Sequence, residues 1–418
     1  MTRKTKNDGP TFVDVFAGCG GLSLGLKRAG WRGLFAIEKD AFAFETLSSN
    51  LLHRPGLKYQ WPAQIEIKPW SITELLRKKK VDLRAMQGNV DLLAGGPPCQ
   101  GFSHAGRRNV DDPRNQLFKD YLALVDILQP KFVLVENVRG FKASFKVKKK
   151  GQIGNFAETL EDRLSKNYEV TTAILRANEY GVPQSRPRFI LLGVRKDIAA
   201  NVRVEEFFPK LAGNRVRFLK DRGVPLQPAS RDVLSDLEIK GNGIGPSMEC
   251  PGFDEILYKG PRTSYQRYLR DSSVGAPTDT RLARHRDDIK ARFSEIIRIC
   301  NEDGRLATSL SAEVKARFGL KKMAIRVLDP LKHAPTVTSL PDDLLHYSEP
   351  RTLTVRENAR LQTFPDWFAF KGKYTSGGHL RRSEVPRFTQ VANAVPPLLA
   401  EQLGLALIQI AGASASSR

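Results

Sequence analysis

Cysteine is scarce in this 418-residue chain: there are four, Cys19, Cys99, Cys250 and Cys300, far apart and with no Cys-x-x-Cys pair. That spacing argues against a disulfide framework and against a zinc site, so no metal is expected, and it fits a reducing cytoplasm. No apolar run approaches the roughly 20 residues of a membrane helix. Met1 to Pro10 lacks the apolar core of a secretory leader, so neither a membrane nor export is expected. Acidic residues are in short supply, with 45 Asp and Glu against 67 Lys and Arg, a formal net charge of +22. A deficit of this size points to a polyanionic partner, nucleic acid first, because solubility alone is usually achieved by mixed charges with a small net excess. Repeats and long low-complexity tracts are absent. Hydrophobic content of 41% and charged content of 27% are those of an ordinary globular protein with room for two or three domains.

The N-terminal third follows an alternating pattern. Residues 1–10 are polar and expected to be a disordered tail. Thr11-Phe-Val-Asp-Val-Phe16 reads as an apolar strand, followed by the turn Ala17-Gly-Cys-Gly-Gly21, whose glycines allow close approach of backbone to a ligand. Leu22, Leu24, Leu26 and Ala29 open a helix that stops at Gly30, and Gly33 to Ile37 forms a second strand ending on Glu38. Strand, glycine turn, helix and a second strand ending in an acid describe a nucleotide-binding βαβ unit, with the acid placed for ribose hydroxyls. Helices over 41–52, 115–128 and 157–164 then alternate with strands over 91–94, 131–137, 168–175 and 188–193. This rhythm predicts an α/β fold, a Rossmann-like, doubly wound parallel sheet.

The strand ending at Ala94 feeds Gly95-Gly-Pro-Pro-Cys99, a stiff turn that presents a thiol at the carboxyl end of a strand, where ligands bind in such sheets. A buried structural cysteine is the alternative. From about residue 200 to 345 the rhythm fails, and Arg, Pro and Gly interleave with aromatic rings, as in Pro261-Arg-Thr-Ser-Tyr-Gln-Arg-Tyr-Leu-Arg270 and Arg281-Leu-Ala-Arg-His-Arg286. This region reads as a separate, loop-rich recognition domain. Lys142 to Lys150 is a basic insert, and Pro397 to Ala411 is apolar enough to be a helix returning to the sheet.

Six segments follow one another in the chain: Phe16-Ala-Gly-Cys-Gly-Gly21, Gly96-Pro-Pro-Cys-Gln-Gly-Phe-Ser103, Glu136-Asn-Val138, Gln184-Ser-Arg-Pro-Arg188, Arg351-Thr-Leu-Thr-Val-Arg-Glu-Asn-Ala-Arg-Leu-Gln-Thr-Phe-Pro365 and Gln390-Val-Ala-Asn-Ala-Val-Pro-Pro397. In this order they resemble the cytosine carbon-5 DNA methyltransferases of bacterial restriction–modification systems. The resemblance covers most of 11–198 and 350–405. It implies a catalytic domain over 11–198, a target-recognition domain over 199–375, a return segment over 376–412 and a tail over 413–418.

The resemblance also implies the chemistry. Cytosine carbon 5 is a poor nucleophile until a thiolate adds at carbon 6, a task suited to Cys99. Glu136 would supply a proton or strong hydrogen bond at ring nitrogen 3. Arg188 would hold the carbonyl oxygen, and Arg186, expected on the same face of a strand opened by 184–188, would support the thiolate and its loop. S-adenosylmethionine is the implied methyl donor. Phe16, Ala17, Gly18, Cys19, Gly20 and Gly21 would cradle it, Glu38 would take the ribose, Asn393 and Val395 the methionine end, and Ser71 and Ile72 the adenine, with Gly96, Pro98 and Leu117 completing its surroundings. Three positions depart from the family's pattern: Lys39 follows the ribose acid where an aromatic is usual, Ser71 stands for an Asp, and Ala392 for a Gly.

The substrate implied is double-stranded DNA with the target base turned out of the stack. Gln100, Ser103, Arg107 and Arg108 lie on a loop that would close over the duplex, while Arg262, Arg267, Arg270, Arg284 and Arg286 would contact phosphates or base edges. The chain is expected to act as a monomer in the cytoplasm, with a cognate restriction endonuclease as a functional counterpart. Two alternatives stand beside this reading. One keeps the chemistry on tRNA, as a branch of the family does, and the other is a catalytically silent DNA-binding regulator. A nicotinamide dehydrogenase would account for the βαβ unit but for neither the thiol loop nor the charge.

Overall fold

The computed structural model describes residues 9–97, 114–142, 145–146, 153–271, 273–320, 325–377, 380 and 383–413. Pro98, Cys99, Gln100, Ser103, Arg107 and Arg108 lie outside the described residues, as do the first eight residues of the N-terminal tail, most of the basic insert and the last five residues. The chain forms two compact units. The first comprises Met1–Arg176, Pro187–Arg215 and Leu399–Arg418, and the second Ala177–Arg186 and Val216–Leu398.

The first unit is built on a six-stranded sheet. Its strands are β1 (Thr11–Val15), β2 (Arg32–Ile37), β3 (Leu92–Gly95), β4 (Phe132–Val138), β7 (Tyr168–Arg176) and β8 (Pro187–Arg195), in the order β2-β1-β3-β4-β8-β7. The two-residue strands β5 (Phe145–Lys146) and β6 (Ile153–Gly154) pair with each other elsewhere. The order reverses at β1, the switch point beside which ligands bind in open α/β sheets. Strands β2, β1, β3 and β4 are parallel, but β8 runs antiparallel to both β4 and β7. The expected all-parallel sheet is therefore corrected to a mixed one with a single reversed strand. The reason is local: β7 and β8 are joined by only ten residues, too few for the crossover a parallel pair needs.

Both faces of the sheet are covered. Val13 and Val15 enter a hydrophobic cluster with Ile72 and Leu75 of α3 (Ile72–Lys78), Tyr121 and Leu124 of α5 (Arg114–Leu128) and Leu160 and Leu164 of α6 (Phe156–Leu164). Side chains alternate along a strand, so Phe12 and Asp14 face the other layer. There α1 (Gly21–Arg28) lies against the C-terminal helix Pro397–Ala413: a methyl group at Gly404 would stand 2.8 Å from the Ala29 Cβ, and Trp31 Nε1 donates to the Gly404 carbonyl at 3.0 Å. The stretch Arg387–Gly412 is apolar and long enough, by length and composition, to span a bilayer, which corrects the expectation that no run approaches that length. Of its most apolar window, 78% is buried inside the protein, as in a core helix.

Among its described residues the second unit has two-stranded sheets only. Strands β9 (Ile244–Pro246) and β10 (Asp254–Ile256) form a hairpin. Helix Asp287–Glu302 buries Phe293, Ile296, Ile297 and Cys300 in a cluster of its own with Leu310, Val314 and Val327. Residues 200–345, expected to be a mixed, loop-rich region, hold this 16-residue helix and a 14-residue one at Phe207–Lys220. Apolar positions 289, 293, 296, 297 and 300 carry the helical spacing, masked by the charges around them.

Candidate active site

The turn after β1 is held in a strained form. Phe16 has φ 60°, Gly18 φ 55° and Gly20 φ 94°. A bulky residue in the left-handed region costs about 1–3 kcal/mol and persists only where its surroundings over-determine it. Ala17 N donates to the Ile37 carbonyl at 3.0 Å and Gly20 N to the Ala17 carbonyl at 2.9 Å. At Gly20 a side chain is excluded twice, by its φ and by Leu51 Cδ1, 2.8 Å from where a Cβ would stand. At Gly18 an added Cβ would meet nothing within 4 Å, so this side of the turn is open.

Glu38, at the end of β2, closes that turn. Its Oε2 accepts from Gly18 N at 2.9 Å and its Oε1 from Asp40 N at 2.8 Å. Burial pushes this carboxyl above the ordinary range, against the pull of the Asp40 and Gly18 N–H groups. The Glu38 carbonyl accepts from Trp70 N at 2.8 Å, which brings the segment carrying Ser71 and Ile72 beside β2. The Ser71 Oγ caps α3 by accepting from Glu74 N at 3.1 Å, and Ile72 sits in the core. Leu117 and Phe16 are partly buried against the same cluster. Cys19 is buried in the turn, and burial pushes its thiol up to about 12, so it is not a thiolate at neutral pH.

At the carboxyl ends of β3 and β4 a second group of side chains converges. Val138 pairs with Arg188 and Glu136 with Ile190 across the antiparallel β4–β8 ladder, which makes Glu136 and Arg188 diagonal neighbours on one face. Arg188 Nε lies 2.7 Å from Glu136 Oε1, with the two side chains 9% and 12% exposed. Neighbouring Asn137 donates from Nδ2 to the Pro97 carbonyl at 2.8 Å, tying the segment after β3 to the end of β4. Gly96 makes this approach possible, since a Cβ there would stand 2.7 Å from the Glu136 carbonyl oxygen. The role of Asn137 was missed in the sequence; its only signal was an amide directly after the acid at a strand end. Cys99, two residues beyond Pro97, lies outside the described residues.

Arg186 does not share a strand face with Arg188, contrary to expectation. Strand β8 begins at Pro187, and Arg186 belongs to the second unit, where Ser185 N donates to the Ala334 carbonyl at 2.8 Å and draws the preceding segment into a different ladder. The Arg186 side chain is buried and its Nη2 donates to the carbonyls of Ala392 at 2.7 Å and Ala394 at 3.0 Å. Gln362, not singled out in the sequence, donates to the Val391 carbonyl at 2.8 Å and accepts from Gln184 Nε2 at 3.1 Å. Together they fix the backbone that carries Asn393, which is exposed, and Val395, which is half-buried.

The five candidate arginines of the second unit are now distinguishable. Arg270 pairs with Asp366 at 3.4 Å and donates to the Gly275 carbonyl, Arg262 donates to the Ser235 carbonyl at 2.8 Å, and Arg286 holds Asp288 at 2.8 Å. Arg267 and Arg284 are exposed, the latter with its guanidinium 4.9 Å from the centre of the Phe253 ring.

Comparison with known proteins gives a consistent picture. The family model for C-5 cytosine-specific DNA methylase matches residues 10–409. The Type II methyltransferase M.DdeI of Desulfomicrobium norvegicum is 32% identical over 402 residues, covering 94% of this chain and 86% of that protein. The Type II methyltransferase M.XorII of Xanthomonas oryzae pv. oryzae is 30% identical over 423 residues, covering 94% and 84%. A crystal structure described as a putative DNA modification methyltransferase encoded within an Escherichia coli prophage superposes with a TM-score of 0.65 at 24% identity, over 97% of this chain and 100% of that one, and shares the fold. With the motifs in order and the family model matched over nearly its whole length, the chain belongs to the C-5 cytosine-specific DNA methylase family and is a DNA (cytosine-5-)-methyltransferase of the Type II restriction–modification kind.

Proposed function

We propose that this chain methylates one cytosine within a specific duplex sequence, using Cys99 as the nucleophile on a base turned out of the stack, at an unstacking cost of about a few kcal/mol. The Cys99 thiolate adds to carbon 6, forming the S–C6 bond and placing electron density on carbon 5. Glu136 holds the proton or hydrogen bond at ring nitrogen 3, and Arg188 takes the carbonyl oxygen, so both steady the charge that the addition creates. S-adenosylmethionine supplies the methyl group. After loss of the carbon 5 proton the S–C6 bond breaks and restores the aromatic ring. The observation that carries this reading is the Glu136–Arg188 pair at 2.7 Å, with the neighbouring Asn137 holding Pro97, which stands two residues before Cys99 in the sequence.

The residues present fit the cofactor. The turn from Phe16 to Gly21 has open space beside Gly18, and Glu38 stands at the end of the next strand. Asn393 and Val395 would meet the methionine end. Residues 199–375 would supply target recognition and a loop with Gln100, Ser103, Arg107 and Arg108 would close on the duplex. The enzyme would work as a monomer in the cytoplasm, and a cognate endonuclease would read the same sequence.

A duplex carrying 5-fluorocytosine tests the mechanism, because the fluorine cannot leave as a proton does and the covalent adduct persists. Parent protein should form a denaturant-stable adduct in the presence of S-adenosylmethionine, and Cys99→Ser should form none and methylate nothing while still binding duplex. Full turnover by Cys99→Ser would sink the assignment. Bisulfite sequencing of plasmid DNA after expression gives the site, and labelled methyl transfer to duplex against tRNA settles the polymer.

A further inference from the structure

Asp14 stands inside β1 with all five strand residues buried, and it is itself 1% exposed. A carboxyl in such a place is costly unless something satisfies it. Its flanking partners in the sheet are Ala36 and Ala94, small residues that leave room beside it. Among the described residues no Lys, Arg or His forms an ion pair with it. Instead the Ser23 Oγ donates to Asp14 Oδ2, and the Tyr59 hydroxyl donates to the Ser23 Oγ at 2.5 Å. The string joins β1, the first turn of α1 and the segment after α2 (Ala41–Leu47).

Its position relative to the strained turn is what gives it meaning. Asp14 lies two residues before Phe16, and Ser23 two residues after Gly21, so the string ties together the two stems of the loop that reverses at φ 60°, 55° and 94°. Tyr59 is a rigid anchor for it. The ring lies across Gly33, where a Cβ would be 2.5 Å from Cε1, stands edge-on to Phe12 at 5.7 Å and carries Lys27 Nζ at 5.0 Å from its centre. Nothing in the chemistry of the base uses these three side chains.

We propose that Asp14, Ser23 and Tyr59 are positioning residues that hold the Phe16–Gly21 turn in the one conformation able to accept S-adenosylmethionine. The inference rests on the reading of that turn as the cofactor site. Burial pushes the Asp14 carboxyl up to about 7, against the Ser23 hydrogen bond, and the nearby Glu38 acts in the same direction as burial. A substantial fraction of the carboxyl therefore keeps its proton near neutral pH, and an uncharged acceptor is enough to hold Ser23.

The test uses the full chain with S-adenosylhomocysteine as the calorimetric probe and a duplex substrate for turnover. Asp14→Ala and Ser23→Ala should each weaken S-adenosylhomocysteine binding and raise KM for S-adenosylmethionine about tenfold, the upper range of one buried hydrogen bond, with kcat at saturation and duplex affinity within about threefold of the parent. Asp14→Asn should restore affinity to within about threefold, since its amide carbonyl still accepts from Ser23. Tyr59→Phe, which removes a single oxygen and keeps the ring, should show the same KM-selective loss at about threefold and remains informative should the alanine variants fail to fold. Parent-like affinity in folded Ser23→Ala and Tyr59→Phe overturns the proposal, as does an Asp14→Asn as impaired as Asp14→Ala. A parent that binds no S-adenosylhomocysteine overturns the cofactor reading itself, a distinct failure.

Discussion

The two units meet the problem of charge in a protein core in opposite ways. In the first, the two acids beside the glycine turn have no guanidinium partner among the described residues: Asp14 accepts from the Ser23 hydroxyl and Glu38 from backbone N–H groups. In the second, Glu357 of the helix Val355–Leu361 and the buried acids Asp236, Asp279 and Asp366 each face an arginine. Arg360 lies between Asp236 and Asp366, Arg356 and Arg387 share Asp279, and Arg351 holds Glu357 through two hydrogen bonds of 2.8 Å. All seven residues of that helix are buried although four are charged or amide-bearing. A hydroxyl-bridged acid leaves no guanidinium beside the turn proposed to accept a small ligand. A buried ion-pair lattice instead fixes geometry, and removal of either partner leaves the other stranded.

The largest expected effect comes from the one ion pair of the first unit that is part of the proposed site. Glu136→Gln should lower kcat by about 10²–10⁴-fold, the range for loss of a positioned acid, while duplex affinity stays near the parent's. Single-turnover methyl transfer measures it, and a near-parental rate would remove Glu136 from the chemistry. Next is the second unit's lattice: Arg360→Met takes the guanidinium from Asp236, leaving it the Tyr258 hydroxyl, and leaves Asp366 to Arg270, so denaturant unfolding should show a loss of about 3–5 kcal/mol.

Acid should separate the two designs by sign. Burial and the adjacent Arg351 hold His346 down at about 3 from an ordinary 6.5. Burial alone would raise Glu357, but the Arg351 guanidinium overrides it and leaves the carboxyl at about 2 from an ordinary 4.5. Both folded values are depressed, so the stability they carry is present above 6.5 and 4.5 and is lost as pH falls toward 3 and 2. Asp14 is raised from 3.8 to about 7, so its contribution is most favourable below 3.8 and is lost as pH rises through about 7. Melting temperatures from pH 7.5 down to about 4 should therefore fall less steeply in His346→Gln and more steeply in Asp14→Asn than in the parent. Equal slopes in all three would erase the distinction. The smallest effect belongs to the surface: Arg286→Ala, which loses an exposed pair with Asp288, should change stability by no more than about 0.5 kcal/mol.

Much of the first unit was legible because its signals are local. Thr11–Val15, Leu92–Gly95 and Phe132–Val138 are apolar runs that end on glycine or polar residues, and the turn at 16–21 declares itself by its glycines. The direction of β8 was not legible, because a period of two is the same whichever way a strand runs. That direction places Arg188 diagonally across from Glu136, so the pairing of two residues identified separately was settled by topology. Arg186 was misplaced because the strand opens later than expected: β8 begins at Pro187, and the isolated bridge just before it runs from Gln184 to Ala334. The arginines at 351, 356, 360 and 387 count toward the net charge of the sequence, yet they lie in the core against acids more than a hundred residues away in some cases, such as Asp236 and Arg360.

By itself the sequence determined the family, the order of the motifs and the candidates for the reactive groups, because composition, turn residues and apolar spacing are properties of neighbours along the chain. The tertiary structure alone decided which of those groups touch. The reversed strand that brings acid to guanidinium, the hydroxyl string that braces the glycine turn and the partners of the buried arginines all depend on contacts between residues distant in sequence, and no local pattern encodes those.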